Sequence, residues 1–122
     1  MAVYTSYYSN RAVPEDAVRI GISVTSPPWV HLDEKIPILY PEPSTLWGYK
    51  NGTVSKERYI EDYYLKLDRN RPQVESALRR LESRYAGKDV VLLCWCGPKN
   101  FCHRKLLADY ARRNLGMDIR EY

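Results

Sequence analysis

Phenylalanine is almost missing from this chain: there is one, against eleven tyrosines and three tryptophans. The aromatic content is therefore amphipathic, made of rings with an O–H or N–H at the tip, which suit the edge of a cleft. No apolar run approaches the roughly 20 residues of a membrane span, so no membrane partner is expected. The opening Met1-Ala2-Val3-Tyr4-Thr5-Ser6-Tyr7-Tyr8 lacks the charged and apolar regions of a secretory signal. A cytoplasmic protein with reduced thiols is the expectation. There is no glycine-rich phosphate loop, no carboxylate pair with an acid/base spacing, and no Ser-His-Asp order. No internal repeat or change of composition divides the chain, so its 122 residues are read as one α/β domain, 1–122.

Cysteine and histidine are also few, and that makes their placement informative. All three cysteines lie between Cys94 and Cys102, and one of the two histidines, His103, follows directly. The stretch from Asp89 to Leu107 organises the rest. Val90, Val91, Leu92 and Leu93 form a short apolar run that fits a central strand covered on both faces. Gly97 and Pro98 break it. From Cys102 the spacing is helical, with Leu106, Leu107, Tyr110 and Ala111 on one side and Gly116 as the stop. In such a unit, ligands gather at the carboxyl end of the strand and the amino end of the helix.

Two further strands are expected upstream, Val3 to Tyr8 and Ala17 to Val24, centred on Val18, Ile20 and Ile22. Both end in small polar residues, Ser9-Asn10-Arg11 and Ser23 to Ser26. From His31 to Val54 no period is sustained, and Pro37, Pro41, Pro43, Gly48 and Gly52 punctuate it. Such a segment reads either as a functional lid or as a covering loop; as a lid, it would lay Trp47 over a pocket mouth. Ser55 is a candidate N-cap for a helix carrying Tyr59, Ile60, Tyr63, Tyr64 and Leu67. Pro72 opens the next helix, striped by Val74, Ala77, Leu78, Leu81 and Tyr85 and ended by Gly87. Met117 to Glu121 is a candidate final strand. Helices between strands predict a small Rossmann-like α/β domain, with a mostly parallel central sheet flanked by helices. Parallel strands would bring their polar ends to one edge.

The cysteine loop admits several chemistries. Cys102 falls at a helix N-terminus, with Lys99, Arg104 and Lys105 near it in sequence; all favour a thiolate. Cys94, at the end of a buried strand, should be pushed the other way by desolvation. At about 100° per residue, His103 points inward and Arg104 reaches the rim, where its planar fork suits an anion. A thiol site with Cys102 or Cys94 as nucleophile and His103 assisting is one reading. Zinc on the cysteines and His103 is another, although four candidate ligands in one short loop are unlike the usual paired spacing. Small buried hydrophobes beside a core histidine, or a redox pair, are the others. Counted from Cys96, the phosphatase spacing of cysteine, five residues, arginine puts the arginine where Cys102 stands.

The pattern Leu92-Leu93-Cys94, short loop, Phe101-Cys102-His103-Arg104, then Lys105-Leu106-Leu107-Ala108 resembles the short form of the family catalogued as domain of unknown function 488. Val3-Tyr4-Thr5-Ser6-Tyr7, Ile22-Ser23, Pro28-Trp29 and the Tyr59 to Leu67 helix are similar too. The resemblance implies a Rossmann-like sheet and no established reaction. Two departures stand out. Many members carry an arginine where this chain has Val24-Thr25-Ser26, and an aromatic and an acid where it has Trp95-Cys96.

Together these readings predict a pocket at the strand ends that takes a nucleotide or nucleic-acid-like anionic ligand, with no metal and no cofactor. Candidate catalytic residues are Cys102, His103 and Cys94. Candidate ligand contacts are Arg104, Ser6, Asn10, Ser23, Trp29 and Trp47. The net charge of +4 is compatible with an anionic small molecule or nucleic acid. The rivals are a non-catalytic binding module, docking on nucleic acid through basic helices, and a zinc or redox thiol protein.

Overall fold

Three short strands with buried apolar residues and three amphipathic helices account for most of the architecture. A computed structural model describes residues 2–95, 97 and 101–122. Strands β1 (Val3–Tyr7), β2 (Val18–Gly21), β3 (Glu34–Lys35), β4 (Val90–Cys94) and β5 (Arg120–Glu121) form one sheet in the order β3-β2-β4-β1-β5. Every pairing is parallel. The chain is an α/β protein with a Rossmann-like sheet flanked by four helices. No helix among the described residues is long and apolar enough to cross a membrane.

Register puts the strand ends together. Tyr7 pairs with Cys94, and Gly21 with Leu93. Backbone bonds run slightly past the strands: Tyr8 N–H donates to Cys94 O, and Ile22 N–H to Leu93 O, each at 3.0 Å. The first two strands are therefore shorter than their sequences suggest, but their polar ends do share one edge.

Helix α2 (Lys56–Arg69) starts where Ser55 Oγ accepts from Arg58 N–H. Tyr59, Tyr63 and Leu67, four apart, form its buried stripe. Asn70 Nδ2 closes it on Lys66 O at 2.8 Å, and Pro72 opens α3 (Arg71–Arg84). Val74, Leu78 and Leu81 of α3 are fully buried. Helix α4 (His103–Tyr110) has Cys102 as its N-cap and runs into a wider π turn, Ala111–Leu115, before Gly116 at φ 64°. The left-handed backbone there is why glycine stands at the end.

The sheet's two faces are covered differently. Val3, Val18, Ile20, Val90, Leu92 and Cys94 join α2, α3 and α4 in the main core. Val91 and Leu93 face a smaller cluster with Tyr8, Val13 and Ala17, closed by Val30 and Leu32 from a loop.

The stretch from His31 to Val54 is not structureless. It contains β3, a 3-10 turn (Pro37–Leu39) and helix α1 (Pro43–Lys50). Its period was hidden because α1 buries only Gly48. That glycine has a packing reason: a Cβ there would collide with Val54 Cγ2. The candidate final strand is shorter than Met117 to Glu121, with only Arg120 and Glu121 paired to β1.

Candidate functional site

The carboxyl ends of β1, β2 and β4 meet the start of α4, and the cysteine motif sits at that junction. His103 is buried and its Nε2 lies 2.7 Å from Ile22 O, just past β2. A carbonyl only accepts, so Nε2 carries a proton, and in the neutral ring Nδ1 keeps the lone pair. Cys102 Sγ is 3.6 Å from that Nδ1. The Ile22 carbonyl thus fixes the tautomer that makes Nδ1 an acceptor for the Cys102 thiol proton. The Tyr63 ring meets His103 edge-on at 5.5 Å and restrains its plane.

Cys102 and His103 form part of the wall of a cavity of about 80 Å³. Ser23, Tyr49, Tyr59, Trp95, Phe101 and Lys50 line it as well. Four of these residues, Tyr49, Tyr59, Trp95 and Phe101, are aromatic. Tyr49, Tyr59 and Phe101 contact one another, with centroids 5.2 to 5.9 Å apart. Lys56 Nζ stands 4.9 Å over the outer side of this cluster, at the Phe101 ring. Trp95 is fixed by its Nε1–H, which donates to Thr25 O at 2.8 Å. Ser23 Oγ donates to Thr25 O at 2.7 Å, so in the 2.5 Å contact with Tyr8 the phenol is the donor. Burial holds the Tyr8 phenol above its ordinary pKa, against the opposing effect of Ser23, so it remains a donor at neutral pH.

Arg104 overturns its expected place. It is not at the rim but fully buried, at 0% exposure. Its Nε–H donates to both Glu121 oxygens at 3.2 and 3.0 Å, Nη1 to Cys94 Sγ at 3.0 Å, and Nη2 to Gly97 O at 3.1 Å. Tyr7 lies beneath the guanidinium. Burial alone would lower the pKa of Arg104, but Glu121 and the two sulfurs outweigh it and hold the cation firmly charged. The fork that suits a phosphate is spent inside the protein. Cys94, expected to be disfavoured as a thiolate by desolvation, instead has this cation against its sulfur.

The other sequence candidates separate. Ser23 lines the cavity with Cys102 and His103. Ser6 is fully buried and its Oγ accepts from Asn10 Nδ2 at 2.9 Å. Asn10 and Trp29 line a different, broad groove of about 1070 Å³, with Arg11, His31, Asp33 and Lys88. Trp47 stands outside the cavity, 53% exposed, with Lys50 Nζ 5.2 Å over its ring. Helix α1 does cover the cavity, but through Leu46, Tyr49 and Lys50. Cys96 and Lys99 lie outside the described residues.

Sequence reasoning missed Tyr8, Tyr49, Tyr59, Phe101 and Lys50 as wall or support residues, and Glu121 as the partner of Arg104. The surplus of tyrosine over phenylalanine was the only signal for the rings. The basic helices are largely satisfied by their own chain. Arg79 pairs with Glu75, Arg80 with Glu34, and both Arg112 and Arg113 with Asp109.

Cys94, Cys102 and His103 place one donor atom each within 4.8 Å of one another, all buried. This donor set would suit zinc, and a histidine whose other nitrogen is held by a carbonyl is the usual ligand arrangement. Against it, the Arg104 guanidinium already neutralises the Cys94 side and would repel a dication.

Neither a curated protein nor a solved structure matches the chain. A family model described as "Active DUF488-N3 subclade" matches residues 3–115, a span that holds β1 through the end of the α4 turn and every cysteine and histidine. The chain belongs to that subclade of the domain of unknown function 488 family.

Proposed function

We propose that this protein is a thiol-dependent enzyme that takes the ring end of a nucleotide or nucleic-acid-like ligand into the aromatic cavity. The observation that carries the reading is the Cys102 Sγ to His103 Nδ1 contact, at 3.6 Å, in the wall of that cavity. His103 accepts the thiol proton at Nδ1, and the thiolate adds to an electrophilic carbon of the ligand. The S–C bond forms, the π pair moves to the attached oxygen or nitrogen, and the imidazolium proton follows it. A wall that includes Tyr49, Tyr59, Trp95 and Phe101 suits a planar ring, because contact with an aromatic side chain is open to every base. Lys50 and Lys56 supply positive charge for an anionic tail, a task Arg104 does not perform.

Alkylation of Cys102 by iodoacetamide, followed against pH by peptide mapping, tests this. Cys102 should label at neutral pH, His103→Gln should slow it, and a nucleoside monophosphate or short single strand should protect it. Labelling no faster than glutathione, or indifference to every such ligand, would sink the reading. Protection with no consumption of the ligand would leave a non-catalytic binder.

A further inference from the structure

The second buried thiol has no part in that reaction. Cys94 ends β4 and accepts from Arg104 Nη1 at 3.0 Å, and the guanidinium is itself clamped by Glu121 and Gly97 O. A fixed cation against the sulfur favours the thiolate. Cys102 Sγ lies within 4.8 Å of Cys94 Sγ, and the two are not disulfide-bonded. Their access differs: Cys102 is in the cavity wall, while Cys94 stands behind it, fully buried. A cavity-lining thiol backed by a second, cation-held thiol is an arrangement that can capture a sulfenic acid before it oxidises further.

We propose that Cys94 is the resolving thiol for Cys102, so that a hydroperoxide entering the cavity switches the site off reversibly as a Cys94–Cys102 disulfide. This rests on the reading of Cys102 as the reactive thiol and adds its regulation. The Cys102 thiolate attacks one peroxide oxygen. The O–O bond breaks, Cys102 becomes S–OH, and the other oxygen leaves as an alcohol or water after taking the proton from His103. The Cys94 thiolate then attacks the Cys102 sulfur. The S–S bond forms, the S–O bond breaks, and hydroxide leaves and is protonated to water. Two electrons pass from the thiol pair to the peroxide, and a dithiol reductant restores both thiols. The gap to a bonded distance of about 2 Å is crossed by rotation at Cys102, which stands at the start of α4 rather than within it.

The experiment uses the 122-residue chain carrying Cys96→Ser, which leaves it two thiols. It is treated with stoichiometric hydrogen peroxide, blocked with N-ethylmaleimide, and read by intact mass and peptide mapping with and without dithiothreitol. The expected result is loss of two hydrogens, a cross-linked Cys94–Cys102 peptide, and full recovery of iodoacetamide labelling after reduction. Cys94→Ser should lose the cross-link, stop at sulfenic acid on Cys102 with one equivalent of peroxide, and accumulate sulfinic acid when a second equivalent is added. Should that variant not fold, Arg104→Lys should slow cross-linking relative to sulfinic acid. Sulfenic acid trapped by dimedone, with no cross-link while Cys94 is present, overturns the resolving role and leaves the reactive thiol standing. Cys102 inert to both peroxide and iodoacetamide overturns both readings. A metal ion that shields the thiols until a chelator removes it also overturns the switch, and assigns the three donors to the metal.

Discussion

The small cavity sits at the carboxyl ends of the strands, the broad groove runs from the end of β1 to the starts of β2 and β4, and both hold residues that the sequence assigns to one pocket. They differ in how their polar groups are used. In the groove, polar side chains bind the loop to itself. Asn10 bridges Ser6 Oγ and Ala12 N–H, and Asp33 accepts from Arg19 N–H. The Arg19 guanidinium is held by the carbonyls of Val13, Glu15 and Ala17. These groups build a cover for the sheet. In the cavity, the fixed groups point reactive atoms at one space: the Ile22 carbonyl aims His103, and His103 faces Cys102. A polar cluster whose hydrogen bonds close on one another is structure. One whose hydrogen bonds orient a nucleophile and a base is a candidate for chemistry.

The largest effect expected on either side is at Arg104. Its side chain is fully buried and serves Glu121, Cys94 and Gly97 together. Removing one partner of a buried ionic cluster strands the other groups, so Arg104→Ala should cost roughly 3–5 kcal/mol. Exposure of Glu121 places the value toward the lower end. Arg104→Lys should recover only part, since a single ammonium cannot replace the fork. Urea melts of both variants give the numbers. Wild-type stability in Arg104→Ala would mean that the guanidinium can leave the core, and its expected role at the rim would return.

His103 comes next. His103→Ala leaves the buried Ile22 carbonyl without its donor, at a cost of about 1–3 kcal/mol. The same variant should slow Cys102 alkylation, because the acceptor for the thiol proton is gone. Melts and labelling rates on one protein sample separate the two roles. Lost stability with unchanged labelling would make His103 a core histidine and move the cavity to the groove's side of the comparison.

The contrast also explains what could be read in advance. Val90 to Leu93 and the Val18, Ile20, Ile22 alternation are local patterns, so the central strands and their shared edge were legible. So was the inward aim of His103, since a helix turns by a known angle. Arg104 was misplaced because that angle gives a direction and not a neighbour. Glu121 reaches it only through the pairing of β5 with β1, a contact no local spacing encodes. Helix α1 escaped for the opposite reason. Pro43-Ser44-Thr45-Leu46-Trp47-Gly48-Tyr49-Lys50 has no apolar stripe, and Gly48 in its middle reads as a break although it serves close packing with Val54.

The smallest expected effect is the sharpest test of the comparison. Trp29 follows the Ile22-Ser23 strand end in sequence, and a base could stack on its ring. The ring is 64% exposed and belongs to the groove, whereas Ser23 belongs to the cavity. An exposed side chain away from buried polar networks contributes little, so Trp29→Ala should change stability by no more than about 0.5 kcal/mol. It should also leave Cys102 alkylation, and its protection by nucleotides, unchanged. Tyr49→Ala removes a ring from the cavity wall itself and is the matched control; it should abolish protection. The two variants, labelled side by side with the same ligand, give four possible patterns. Loss of protection in Tyr49→Ala alone keeps cavity and groove apart. Loss in both makes the ligand long enough to span them, with its ring end at Cys102 and its remainder along Trp29, as a single strand would lie. Loss in Trp29→Ala alone puts the ligand in the groove and leaves the Cys102–His103 pair without it. Loss in neither removes stacking from the account and leaves the thiol pair as all that supports a site.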